Sequence, residues 1–336
     1  MRASLRVMRL AFLVLSALAA LAGCGGGSPP SPERAAPSAA IFPAAEGRTL
    51  AEIASGMRPG NLVVSPTGLT FDRGPNRYAF GVFTLGKEQV TDADVALYFA
   101  RGADGKAIGP FPARVESLET RPAYRAQTTS LDPEAALAVY VVPRVDLPAD
   151  GEWRVFAVIR KGGSLTGTLV RSIEVGGFPA IPARGERAPR IHTPTAADVG
   201  GDLSKIDTRI PPDQMHKVDL ADVYGKKPIA LLFSTPQFCE SRVCGPVADI
   251  AEEINDEFGD EVAFIHMEVY RDNDPGKGIR PQLRAFHLET EPWLFVIGRD
   301  GRVSTRIEGG FGGEEMRRAI EAALREEDGG GDDDAP

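Results

Sequence analysis

The chain reads as two domains, an all-β sandwich followed by an α/β domain. Three observations predict this. Residues 59–177 hold short runs of alternating apolar and polar residues separated by turn signals. From about residue 202 the grammar changes to strand–helix alternation around a continuous apolar run, Ile229-Ala230-Leu231-Leu232-Phe233. Between the two lies a stretch rich in Pro, Arg and Gly, residues 178–201, which reads as a linker. With 336 residues, 43% hydrophobic and 25% charged, the chain is long enough for two such cores.

In the first domain Tyr78, Phe80, Val82 and Thr84 alternate with Ala79, Gly81 and Phe83. Val95 to Phe99 and Ala136 to Val142 predict two more strands. Trp153, Val155, Ala157 and Ile159 share one face of a fourth, opposite Arg154 and Arg160, with Trp153 as a core anchor. Asp104-Gly105, Pro148-Ala149-Asp150-Gly151 and Gly162-Gly163 supply the turns. Many short strands punctuated in this way predict an antiparallel sandwich of immunoglobulin-like type. In the second domain a helix is expected from Cys244 or Pro246 to Phe258, with Val247, Ile250, Ala251 and Ile254 as its apolar stripe. A strand follows at 262–270, a short helix at 282–286, a hairpin of 293–297 and 303–307 about Arg299-Asp300-Gly301, and an amphipathic helix at 314–324.

The N-terminus carries a different signal. Arg2, Arg6 and Arg9 precede an apolar run from Leu10 to Leu21, too short to span a hydrocarbon core of about 30 Å. It ends in Leu21-Ala22-Gly23-Cys24, which looks like a lipobox, with lipid expected on Cys24. Residues 1–23 are then a signal peptide and the protein is extracytoplasmic, lipid-anchored to the cell membrane. Gly25-Gly26-Gly27-Ser28-Pro29-Pro30 opens a tether expected to be flexible; residues 24–58 precede the sandwich, and 46–58 form a short helix or strap. Residues 327–336 read as an acidic disordered tail. Set aside residues 1–23, with three Arg and no acid, and 35 basic residues face 47 acidic ones. That balance offers no footprint for nucleic acid. No phosphate-cradling glycine pattern and no zinc spacing appears, so neither cofactor nor metal is expected.

Cys239 and Cys244 remain as a close pair, after a buried strand and at the start of a helix. Reactive groups in open α/β sheets collect at the carboxyl ends of strands, and a thiol at a helix N-terminus is favoured as thiolate. By its helix-start position Cys244 is the expected attacker and Cys239 the resolver. Arg242 would stabilise a thiolate and Glu240 oppose it. His266 and Glu268 share one face of the 262–270 strand, and Glu268, near its carboxyl end, is a candidate proton acceptor. Asp272, Asp274 and Lys277 form a polar run without calcium-loop spacing. His192, His216 and His287 are scattered and carry no assigned role.

Residues 217–233 together with Ser234-Thr235-Pro236-Gln237-Phe238-Cys239-Glu240-Ser241-Arg242-Val243-Cys244-Gly245-Pro246-Val247 resemble the active-site entry of membrane-anchored thioredoxin-like and peroxiredoxin-like proteins. The resemblance covers residues 202–326 and implies a thioredoxin-like fold. It implies thiol–disulfide oxidoreductase activity through Cys239/Cys244, a cis-Pro at Pro292 after Thr290-Glu291, and a protein thiol or disulfide partner with a separate redox donor or acceptor. Thioredoxins have two residues between the cysteines; here there are four, and Val247 stands where Cys-Gly-Pro-Cys would end. Peroxiredoxins of the bacterioferritin-comigratory type share the four-residue spacing but place Thr three residues before the attacking Cys; Thr235 is four before Cys239. Sco-type copper proteins use three intervening residues and a distant His, and no His follows Pro292. A peroxidase would use Cys239 as attacker, and copper delivery would need His266 or Met267 beside the thiols. A structural disulfide in a non-catalytic interaction protein is the other class of reading.

Overall fold

The computed structural model describes residues 32–239 and 241–328. Cys24, residues 1–23, Glu240 and the end of the acidic tail lie outside the described residues. In chain order the elements are α1 (Leu50–Ser55), β1 (Arg58–Pro59), β2 (Leu62–Pro66), β3 (Gly74–Thr84), β4 (Asp94–Arg101), β5 (Ile108–Pro112), β6 (Arg114–Ser117), α2 (Gln127–Ser130), β7 (Ala138–Leu147), β8 (Gly151–Lys161) and β9 (Ser164–Val175). Then come α3 (Leu220–Val223), β10 (Ile229–Ser234), α4 (Cys244–Phe258), β11 (Ala263–Glu268), α5 (Pro281–Ala285), β12 (Trp293–Ile297), β13 (Val303–Glu308) and α6 (Gly313–Asp328). The fold is mostly β, in three sheets with few helices.

The first two sheets run β2-β3-β7-β6 and β1-β9-β8-β4-β5. They face each other across one core. Tyr78, Phe80 and Tyr140 come from one sheet, and Leu97, Phe99, Trp153 and Ile159 from the other. Trp153 is an anchor as expected, its indole N–H donating to the Ala149 carbonyl at 2.8 Å. Both faces of β3 meet apolar partners, since Ala79 on the face opposite Tyr78 and Phe80 is buried too.

The segment before β1 differs from the flexible tether expected over 24–58. Arg34 exchanges both backbone hydrogen bonds with Val115, at 2.9 and 2.8 Å. Phe42, Leu50 and Ile53 cover Ala96, Tyr98 and Phe156 on the outer face of the β4–β8 sheet. A Thr49/Glu52 capping box starts α1. The sparse apolar residues between Ile41 and Ile53 suffice because a waiting apolar sheet face removes them from water.

The third sheet runs β11-β10-β12-β13. β10 and β11 are parallel, and β12 is antiparallel to β10 and to β13. One face meets α4 and α6 through Leu232, Leu294, Val247, Ile250 and Ile320. The other meets α5 through Phe233, Phe295, Leu283 and Phe286. Burial on both faces explains the unbroken apolar run of β10. Ala79, Val139 and Val141 of the sandwich join the core that holds α4 and α6. Arg77 clasps Glu315 across this contact with two hydrogen bonds of 2.6 and 2.7 Å. Residues 178–201 are not a free linker: Ile181 and Ala188 are buried, and Gly185 and Ala188 donate to the carbonyls of Val303 and Gly301. α6 runs to Asp328, so the first two residues of the expected tail are helical.

Candidate functional site

β10 delivers the chain from the sheet to the cysteine loop, and α4 takes it away. Cys239 and Cys244 form a disulfide with Cα atoms 5.8 Å apart. Cys244 is fully buried, whereas Cys239 is half-buried. No side chain caps α4. Instead the Cys244 N–H, at the first helical position, donates to Cys239 Sγ at 3.2 Å, and the Ser241 hydroxyl lies 3.2 Å from the same sulfur. The positive end of the helix therefore acts on Cys239. Cys244 opens the helix as expected, but its N–H points at its partner and its own side chain is enclosed. Gly245 lets this first turn approach the sandwich, since a Cβ there would sit 2.9 Å from Thr129 Oγ1.

Arg242 does not serve the sulfur. Its guanidinium pairs with Glu134 at 3.0 Å and lies over the Phe83 ring, 5.5 Å from its centroid. Its backbone sits in the left-handed region at φ 64°. The sandwich thus grips the middle of the cysteine loop. Beside it lies a cleft of about 340 Å³ between the two parts, lined by Val63, Phe83, Leu85, Gln89, Ser241 and Arg242.

The Glu291–Pro292 peptide is cis. Trp293 pairs with Phe233, so the β10–β12 register puts Pro292 beside Ser234, where β10 ends. Glu268 is buried and tied down: Oε2 accepts the Thr208 N–H at 3.1 Å and its hydroxyl at 2.7 Å, and Oε1 accepts the Val269 N–H at 2.9 Å. Its link to the loop runs through Thr208, whose Oγ1 accepts the Gln237 N–H at 3.2 Å. Glu268 therefore positions the loop and has no hydrogen bond to either sulfur. Thr235 is buried too, and its hydroxyl meets no partner, so it does not orient a peroxidatic Cys239.

The sequence reading missed what surrounds His266. Its Nδ1 lies 2.7 Å from Asp213 Oδ2 and its Nε2 lies 3.2 Å from the Ser234 carbonyl. His216, given no role by its position in the chain, presents Nε2 to Asp207 at 3.2 Å and to Asp213 at 3.4 Å. All four side chains are buried, and none of the group is a cysteine. Burial alone would strip the proton from His266. Asp213 first, then Asp207, overcome this and push the imidazole up to about 10. Burial would raise Asp213 likewise, but His266 and then His216 hold it down at about 2. The cluster touches the cysteine loop through Ser234, whose hydroxyl donates to the Cys244 carbonyl at 3.0 Å. Met267 points into the opposite core. The only advance signal was the alternation that put His266 and Glu268 on one face.

No family model matches the chain, and no curated protein matches it. Among solved structures it is similar to a thiol:disulfide interchange protein, of the thioredoxin family, from Chlorobium tepidum TLS. That match has 19% identity over 42% of this chain and 98% of that one, with a TM-score of 0.31. A thioredoxin-like protein in its oxidised form matches at 19% identity over 31% and 82%, with a TM-score of 0.25. The filamin domain of Lin-41 matches at 9% identity over 35% and 95%, with a TM-score of 0.19. At these scores the likenesses decide nothing about the site, which stands on its own geometry. No helix among the described residues is long and apolar enough to cross a membrane.

Proposed function

We propose that the chain is a thioredoxin-like thiol–disulfide oxidoreductase of the cell envelope, held to the membrane by lipid on Cys24, with Cys239 as the exchanging sulfur. The observation that carries this is the asymmetry of the pair: a half-buried Cys239 whose sulfur receives the α4 N–H, and a fully enclosed Cys244. Stabilised as thiolate, Cys239 attacks one sulfur of a partner disulfide and expels the other as thiolate. The Cys244 thiolate, its proton lost to solvent, then attacks Cys239 Sγ, forms the intramolecular disulfide and releases the second partner thiol. Two electrons have passed to the partner; a dithiol partner runs the same steps backwards. A separate redox protein resets the pair.

The N-terminal part is an immunoglobulin-like sandwich in this reading. Its orders β2-β3-β7-β6 and β9-β8-β4-β5 follow the A-B-E-D and G-F-C-C′ arrangement of that fold. It grips Arg242 and forms one wall of the cleft beside the loop, where a partner segment would rest.

The test is a redox titration of the protein, followed by Cys239→Ser and Cys244→Ser variants. A midpoint between about −120 and −270 mV, with mixed disulfides trapped by Cys244→Ser and not by Cys239→Ser, supports exchange. A midpoint below about −300 mV with no trapped partner makes the bond structural.

A further inference from the structure

Asp207, Asp213 and His216 lie on the irregular stretch before α3, and His266 comes from β11. The two imidazole rings stand 5.4 Å apart. One nitrogen of each ring and one oxygen of each carboxylate lie within 4.8 Å of one another.

Each of these donors except His216 is aimed from behind by a second group. The Ser234 carbonyl accepts from His266 Nε2 at 3.2 Å, which turns Nδ1 into the cluster. Asp207 Oδ1 accepts the Arg209 N–H at 2.7 Å and Oδ2 the Asp213 N–H at 2.8 Å. Asp213 Oδ1 accepts the Met215 N–H at 2.9 Å. Orientation of ligands by outer hydrogen bonds, with an imidazole donating its far N–H to a carbonyl, is how proteins hold metal ions. His216 has no such support: its buried Nδ1 has no partner, so its ring is held only through what Nε2 meets among the carboxylates.

The two carboxylates carry two negative charges into a site that excludes water. Enclosed charge of this kind has to be offset, by imidazolium within the cluster or by a bound cation. One divalent ion at the convergence of the four donors balances both charges and ligates both rings. We propose that Asp207, Asp213, His216 and His266 form a buried structural site for a divalent first-row transition ion of the zinc type. The donor set excludes close rivals. It has no soft sulfur for Cu(I), and two imidazoles are foreign to calcium and magnesium, which take oxygen. Four protein donors with no opening to solvent leave no position for a reacting water, so the ion would be structural. It would clamp residues 207–216 to β11 and, through Ser234, brace the end of β10 that carries the cysteine loop. The proposal does not depend on thiol exchange.

The test is metal content of the full-length protein, grown with zinc and purified without chelator. About one zinc per chain is expected in the wild type and in a Cys239→Ser/Cys244→Ser variant, and under about 0.2 in Asp213→Asn. Under about 0.2 in the wild type overturns the site, as does zinc lost with the cysteines and kept in Asp213→Asn. Should Asp213→Asn fail to fold, protein grown with Co²⁺ decides. Bands of four-coordinate Co²⁺ without a thiolate charge-transfer band support the site. A thiolate band, or a six-coordinate aqueous spectrum, overturns it.

Discussion

The sandwich and the α/β part obey different rules of burial. Between β2 and β9 the interior is aliphatic and aromatic: Phe71 stacks on Tyr78 at 5.2 Å, and Phe80 on Tyr140 at 5.3 Å. Among the described residues the buried polar side chains of that span are Glu116 and Thr129. Both face the other part, Glu116 accepting the Gly312 N–H at 2.9 Å and Thr129 lying against Gly245. The α/β part buries Asp207, Arg209, Asp213, His216, Asp249, His266 and Glu268. Such groups cost free energy to enclose unless each is paired. They are concentrated in the part of the molecule that carries the cysteine loop.

The largest expected effect is at Asp249. Its carboxylate pairs with Arg209 at 2.9 Å and accepts the Ala126 N–H at 3.1 Å. Asp249→Ala leaves Arg209 buried without its counter-ion and should lower unfolding free energy by about 3–5 kcal/mol in urea titration. A loss near zero would break the contrast between the two halves. Ile159→Val in the sandwich core should cost only about 0.5–1.5 kcal/mol and leave the Cys239–Cys244 potential unchanged. A shifted potential would show that sandwich packing reaches the disulfide.

The smallest effect contrasts an exposed histidine, on a partly buried carboxylate, with the buried cluster. His192 Nδ1 lies 2.7 Å from Asp219 Oδ2, with 58% of its side chain exposed. The hydrogen bond to Asp219 raises the imidazole above its ordinary range, outweighing desolvation. Because the folded value is the higher one, the contribution to stability is complete below the ordinary imidazole range. It is lost as pH rises through the raised value. NMR titration should find His192 raised in the wild type and ordinary in Asp219→Asn. An unchanged His192 in the variant would remove the pair as the cause.

Much of the fold is legible in single runs of residues. Ile229 to Phe233 announces a strand covered on both faces, and Val247, Ile250, Ala251 and Ile254 announce α4, because periodicity reports which faces meet apolar partners. The strap from Arg34 to Ile53 is not legible: its few apolar residues acquire meaning only from the outer face of β4 and β8. The asymmetry of the cysteine pair is hidden from the sequence for a related reason. Proximity of Cys244 to the helix start is a fact of sequence, but the direction of its N–H, toward Cys239, is a fact of loop geometry.

By itself the sequence determined that a cysteine pair stands between a buried strand and a helix, behind a β-rich region, since these depend on local period and spacing. Only the tertiary structure decided which cysteine is enclosed, what Arg242 grips, and that His216 and His266, fifty positions apart, share two carboxylates. Those arrangements are made by contacts across chain distances over which local preference carries no information.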